Sequence, residues 1–193
     1  MEIGTTLYVT TRRQWRAWLR ANCARKKEIW LIYYKKNSGK PRIPYNDSVE
    51  EALCYGWIDS ILKPIDSEKY AQRFSPRRKD SKFLSEMNRE RVRRLMKEGK
   101  MTSAGLTAIR HLLDGKGRDP AIHDNQLVLP AGLKRALKKD PQTWKNFSKF
   151  PESYKKIRIG WIVAARHRRE IYRQRLRYFL RMTAQNKKFG MVK

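Results

Sequence analysis

The stretch EALCYGWIDS, residues 51–60, decides how the first half of this chain is built. Ser48 and Glu51 just before it have the spacing of a capping box, which predicts a short helix from about Val49 through Leu53 and Cys54. Gly56 suits the position that closes such a helix. Trp57 then opens WIDSILKP, residues 57–64, which has strand character and stops at Pro64. Along it Trp57 and Asp59 share one face and Ile58 and Ser60 the other, so either Trp57 or Ile58 faces the core. The chain around this stretch holds 46 Lys+Arg against 18 Asp+Glu, yet acids and aromatics crowd together here. Half-buried acids need partners. Arg77 or Arg78 is the expected partner for Glu51 or Asp59.

The same local rules extend outward. TTRRQWRAWLRAN, residues 10–22, reads as a helix with Thr11 and Gln14 at capping-box spacing and Trp15, Trp18 and Leu19 on one face. EIWLIYYKK, residues 28–36, is a buried-strand pattern, and NSGKP after it is turn chemistry. YAQRFSP, residues 70–76, alternates as another strand. Beyond residue 80 the pattern turns helical. Ser81 or Ser85 caps a helix carrying Leu84, Met87, Val92, Leu95 and Met96, which Gly99 ends. Thr102 caps the next, with Leu106, Ile109 and Leu113 on one face. GKGRDPAIHDN, residues 115–125, reads as a loop and the boundary between an α+β domain at 1–118 and a basic helical domain at 126–193. In the latter, Pro130, Asp140-Pro141 and Pro151 each open a helix. The fold class is therefore α+β: a small antiparallel or mixed sheet with helices, followed by a helical C-terminal part.

Forty per cent hydrophobic residues exclude a disordered basic tail. A formal net charge of +28 creates a field that attracts polyanions, either nucleic acid or an anionic membrane surface, or acidic protein partners. Cys23 and Cys54 form neither a disulfide framework nor a zinc pattern. MEIGTTLYV shows no signal-peptide pattern, and no stretch is apolar enough to span a bilayer, so a cytoplasmic location is expected. G-x-S-x-G, H-E-x-x-H, P-loop and G-x-G-x-x-G patterns are absent, and His111, His123 and His167 are scattered. No catalytic residue, metal ligand or cofactor is expected on these grounds.

Two groups of residues stand out as candidate sites. The first is a small cleft lined by Tyr55, Trp57, Asp59, Arg77, Arg78 and Ser81, where aromatics, an acid and guanidinium groups converge on a polar ligand. Arg77, Arg78 and Lys79 also precede a helix start, whose free N–H groups favour an anion. The alternative is a purely structural role for the same residues. The second is the C-terminal run KKIRIGWIVAARHRREIYRQRLRYFLR, residues 155–181. There Ile157, Trp161, Ile162 and Ala165 suit one apolar face and Tyr172, Leu176, Phe179 and Leu180 another. Arg166, Arg168, Arg169, Arg173, Arg175, Arg177 and Arg181 fill the remaining sides, either as a solvated helix face or as a phosphate-binding one.

EEALCYGWIDS, RFSPRRKDSKFLSEMN and RRLMKEGKMTSAGLTAI, in that order, resemble the YdeI/OmpD-associated family, also called bacteriocin-protection proteins. LKKDPQTWKNFSKFPESYKKIRIGWIVAA is similar to that family's helical tail, and the resemblance runs from about Trp18 to about Leu176. Phe83 stands where the family usually has tryptophan. Arg169 precedes Glu170, Ile171 and Tyr172 where the family usually carries a proline before Glu-Thr-Arg, which leaves the last two helices open as two or as one continuous helix. The resemblance implies a link to antimicrobial-peptide resistance and to an outer-membrane porin, and defines no catalytic residue. The leading expectation is a non-enzymatic cytosolic binding protein of the stress or antimicrobial-resistance class. The alternatives are a nucleic-acid-binding protein using the C-terminal arginines and an enzyme with its site near Asp59 and Arg77.

Overall fold

The computed structural model describes residues 2–81, 83–113, 122–123 and 126–190. The chain forms two compact units, one of residues 1–81 with 91–113 and one of residues 82–90 with 114–193.

The first unit contains β1 (Thr6–Leu7), α1 (Arg12–Asn22), β2 (Ile29–Tyr34), α2 (Tyr45–Cys54), β3 (Trp57–Pro64) and β4 (Lys69–Pro76). The strands form one mixed sheet in the order β1-β2-β4-β3, with β1 parallel to β2 and the other pairs antiparallel. The expected α+β class holds, and β1 adds a strand that its short sequence does not announce. α1 carries its capping box: the Thr11 side chain accepts from Gln14 N, and Gln14 reaches back to the Thr11 N–H. Its buried Trp15 and Leu19 meet the sheet, with Trp15 against Phe74 edge-on at 5.4 Å between centroids. Trp15 Nε1 donates to the Ser48 carbonyl at 2.9 Å, which ties α1 to α2.

α2 begins one turn earlier than the Ser48–Glu51 spacing suggests. Pro44 occupies the cap position, and its carbonyl takes the first helical bond from Ser48 N at 3.1 Å. Proline's fixed φ pre-sets that start. Ser48 therefore lies within the helix, fully buried, with its hydroxyl donating to the Tyr45 carbonyl and bonded to Tyr33 Oη. The end of α2 is as expected: Gly56 has φ +74 and the chain passes directly into β3. Trp57, 1% exposed, is the residue that faces the core.

α3 (Glu86–Lys97) is capped by Ser85, whose hydroxyl accepts from Asn88 N, and not by Ser81. Residues 86–90 of this helix belong to the second unit and 91–97 to the first. Gly99, at φ +65, ends it: Lys100 N bonds to the Leu95 carbonyl and Gly99 N to that of Met96. α4 (Ser103–Leu113) is capped by Thr102 as expected. Its buried face is Gly105, Ile109 and Leu112 in place of Leu106, Ile109 and Leu113, because α4 meets α2 at the backbone. A Cβ on Gly105 would lie 2.2 Å from the Cys54 carbonyl oxygen. The face rotates to present the glycine there.

Within the stretch read as a loop, Ile122–His123 (β5) pairs with Gln126–Leu127 (β6), and residues 115–121 and 124–125 lie outside the described residues. The second unit then contains α5 (Ala131–Lys138), α6 (Pro141–Lys149), α7 (Glu152–Val163) and α8 (Arg169–Ala184). Pro130, Asp140 and Pro151 hold the cap positions. Leu133, Leu137, Phe147, Tyr154, Ile159, Ile162 and Phe179 form the core. α7 and α8 are separate helices. Ala165 N tightens onto the Ile162 carbonyl, and Arg175 Nη1 takes the Trp161 carbonyl at 2.5 Å, so a side chain satisfies a group that a continuing helix would use.

Candidate functional site

Glu51 and Asp59 find partners other than the two arginines expected from sequence. Glu51, 2% exposed, receives Arg12 Nε at 2.5 Å and Arg16 Nη1 at 2.6 Å from α1. Glu50 beside it pairs with Arg12 at 2.8 Å and with Arg94 of α3. The acids of α2 thus lock α1 and α3 onto it, and hydrogen bonds with the carboxylates hold the Arg12 guanidinium above its ordinary pKa even though burial works against it. Asp59 Oδ2 accepts from Tyr45 Oη at 2.5 Å. Burial first, then the bond to Asp59, raises the Tyr45 hydroxyl. Arg78 turns to solvent and pairs with Asp80 at 2.5 Å. Arg77 has its Nη1 3.2 Å from Ser81 Oγ, to which it donates. The pairings differ because Arg12 and Arg16 lie one helical turn apart and meet α2 as a pair, a relation set by helix packing.

With the acids engaged elsewhere, a cleft of about 550 Å³ remains in the first unit. Of the six residues expected there, Tyr55, Trp57 and Arg77 line it, while Asp59, Arg78 and Ser81 do not. Ser81 instead braces the rim: its hydroxyl receives Arg77 and its carbonyl receives His111 Nε2 at 2.8 Å. Lys79, His111, Ser103, Thr107 and Cys23 complete the wall with Gly56, Pro76, Ala104 and Ala108. Sequence reading missed the α4 side of this wall. Its signal is Ala104, Gly105 and Ala108, small residues at one helix face that mark close approach to the end of α2 and to Gly56.

The cleft is cationic. Arg77 is 7% exposed, and burial lowers its guanidinium pKa while the charge of Asp59 works in the opposite direction. Lys79 joins it, and the first turn of α4 presents its positive dipole end. No carboxylate lines the cleft among the described residues. The opposite wall is aromatic: Trp57 lies edge-on to Trp18 at 5.7 Å and donates through Nε1 to the Cys23 carbonyl.

On α8 and the turn before it, Arg166, Arg168, Arg169, Arg173, Arg177 and Arg181 are exposed. Arg173 is 3.3 Å from Glu170, and Arg181 lies over the Tyr178 ring. Arg175 is the exception among the seven: it is half-buried, stacks on Trp161 at 4.7 Å and holds the Trp161 carbonyl. The two apolar faces expected there close on the core through Ile157, Ile162, Ala165 and Phe179.

Among the described residues no group of His, Cys, Asp and Glu is arranged to hold a metal ion, and no helix is long and apolar enough to cross a membrane. Comparison with known families places residues 7–108 in a family described as a domain of unknown function (DUF8412). Residues 126–186 match the family described as bacteriocin-protection, YdeI or OmpD-associated. EEALCYGWIDS and RFSPRRKDSKFLSEMN lie under the first match and the helical tail LKKDPQTWKNFSKFPESYKKIRIGWIVAA under the second. No curated protein and no solved structure matches the chain.

Proposed function

The chain belongs to the DUF8412 family through residues 7–108 and carries a YdeI/OmpD-associated segment at residues 126–186, and on that premise we propose a non-enzymatic binding protein that holds a small anion with a planar ring in the Trp57–Arg77 cleft. The observation that carries this reading is the lining itself: Arg77, Lys79, His111 and the start of α4 face an aromatic wall with no acid among the described residues. Holding without turnover is supported by the engagement of Arg77 and His111 with Ser81 and of Asp59 with Tyr45. The description of the second family, bacteriocin protection, supports a role in stress or antimicrobial-peptide resistance. Unpaired Cys23 and Cys54 suit a reducing compartment and support a cytosolic location.

Calorimetric titration with phenyl phosphate, against phenol as the neutral control, tests the cleft. Saturable binding of phenyl phosphate is expected, about tenfold weaker in Lys79→Ala and abolished in Thr107→Trp, which fills the space. Equal binding of phenol, or binding untouched by both variants, removes the reading.

The exposed arginines of α8 favour a second reading, nucleic-acid binding. Duplex and single-strand affinity is then measured across salt concentrations. Withdrawing one arginine from a phosphate makes the slope of log K against log salt shallower by about 0.9 on duplex DNA. Arg173→Ala and Arg177→Ala are the informative variants, since Arg175 is committed to Trp161. Affinity that collapses below physiological salt regardless of these changes reduces the charge to a generic field.

A further inference from the structure

Past α8 the chain turns back onto α7 and α8. Asn186, at φ 54, follows the helix, and Lys187 N bonds to the Met182 carbonyl. Among the described residues no backbone–backbone hydrogen bond holds 188–190. Phe189 is what ties them down. Its N–H donates to Tyr154 Oη at 3.3 Å. Its ring stands edge-on to Tyr178 at 4.7 Å, Trp161 at 5.9 Å, Tyr154 at 6.3 Å and Phe179 at 6.4 Å between centroids. Edge-to-face pairs at these separations are favourable, so α7 and α8 build a cradle for one further ring. Tyr178 is 37% exposed, which leaves the cradle open to solvent on its side.

A cation closes the cradle from within. Arg158 of α7 is 4% exposed, and its guanidinium carbon lies over the Phe189 ring at 4.7 Å. Gly190, at φ +74, comes against the same group: a Cβ there would sit 2.6 Å from Nη2 and 2.9 Å from Nη1. The guanidinium therefore faces the place that the tail occupies. Its Nε and Nη2 have no hydrogen-bond partner among the described residues. A ring face attracts a cation but does not replace the oxygen acceptors that a guanidinium loses on leaving water. Burial accordingly lowers the Arg158 pKa. The covering segment, QNKKFG at residues 185–190, supplies a ring, a glycine and two lysines but no carboxylate. An anion on a ring would supply both what the tail gives this place and what it lacks.

We propose that Phe189 and Gly190 are the occupant, in cis, of a binding site for an arylalkanoate anion, which displaces them, sets its ring in the cradle and its carboxylate against Nη2 of Arg158. Covalent geometry fixes the length of the linker. Counted in bonds from the ring, the carboxylate carbon of 4-phenylbutyrate falls at the position of Gly190 N, and an oxygen at that of Gly190 Cα. Tail and ligand compete, so the apparent affinity is the intrinsic one reduced by the fraction of molecules whose tail is open.

4-Phenylbutyrate is the probe and 4-phenylbutyramide its neutral isostere, titrated into the isotope-labelled full chain and followed by NMR. Saturable binding of the acid is expected, with the Gly190 amide moving toward its unstructured position and the amide isostere at least tenfold weaker. Phe189→Ala removes the cis ring and should tighten binding about tenfold. Gly190→Ala places a Cβ at positive φ against the guanidinium and should tighten it severalfold while keeping the ring; it decides the matter if Phe189→Ala fails to fold. Arg158→Met should abolish binding. Absence of binding to Gly190→Ala at millimolar acid, unchanged affinity in that variant, equal binding of acid and isostere, a Gly190 amide that stays in place at saturation, or binding retained in Arg158→Met overturns the proposal. None of these outcomes bears on phenyl phosphate in the first unit, so the two ligand readings fail separately.

Discussion

Three glycines separate the demands of backbone conformation from those of space. Gly56 answers both: its φ is +74, and a Cβ there would lie 2.6 Å from Ala108 Cβ. Gly56→Ala should destabilise the protein by about 2–3 kcal/mol, read from the denaturant midpoint. Gly105 is helical, but its Cβ would press on the Cys54 carbonyl, which is backbone and cannot swing away. Gly105→Ala should cost at least as much and also disturb the cleft wall. Gly132 in α5 has nothing within 4 Å of a Cβ, so Gly132→Ala should stabilise by about 0.5 kcal/mol. A uniform response at the three positions would contradict this account. Gly56 was legible from sequence because helix-ending glycines follow a run of helical residues. The crowding of Gly105 was not, since the neighbour it presses on, Cys54, lies far back along the chain.

At the level of elements, charged side chains join helices that hydrophobic contacts alone would leave free to slide. Glu51 is buried between Arg12 and Arg16. Glu51→Gln keeps the shape but leaves two guanidinium groups facing a neutral amide, and should cost about 2–3 kcal/mol by chemical unfolding. At the α7–α8 corner, Arg175→Ala should cost about 1–2 kcal/mol because it removes the carbonyl bond and the stacking on Trp161, whereas Arg173→Ala and Arg177→Ala should stay within about 0.5 kcal/mol. Asp140 caps α6: Thr143 donates through its hydroxyl and its N–H, which holds the carboxyl below its usual value of 3.8. A depressed carboxylate pKa contributes stability that is present above the unfolded value and is lost as pH falls through the folded one. The difference in thermal midpoint between the parent chain and Asp140→Ala should therefore be full at neutral pH and begin to close below about pH 4. A difference independent of pH would assign the effect to packing. The Asp140-Pro141 cap was readable because its parts lie within one turn. The Ser48–Glu51 spacing misled for the same locality: it cannot distinguish a cap from a position one turn inside, and Pro44 settled which it was.

For the whole molecule, connectivity matters more than linear order. Residues 82–90 belong with the second unit although they precede most of α3. Leu84 and Arg89 are buried there. A fragment ending at residue 118 keeps every residue of the first unit but strands this segment. It should bind a hydrophobic dye and unfold at a lower temperature than the full chain. A fragment that neither binds dye nor loses stability would show that residues 82–90 stay covered without the C-terminal helices. The breadth of the charge, +28 over the whole sequence, is a property of composition and needs no fold to be stated. Where that charge is usable depends on the fold: Arg12 and Arg16 are committed to Glu51, Arg175 to a carbonyl, and Arg158 is enclosed.

The division between what sequence and structure each decide follows interaction range. By itself the sequence determined the capping of α1 and α6, the turn at Gly56, the α+β class and the YdeI/OmpD-associated resemblance of the C-terminal segment, because these depend on residue types within a few positions. Only the tertiary structure decided that Glu51 meets arginines 39 and 35 positions away, that Asp59 meets Tyr45, that α4 supplies one side of the cleft wall, and that Nε and Nη2 of Arg158 are buried without a hydrogen-bond partner among the described residues. A buried charge is paired by whichever element packs against it, and that choice is made when the hydrophobic faces of Trp15, Trp57 and Phe74 come together, not by any neighbour along the chain.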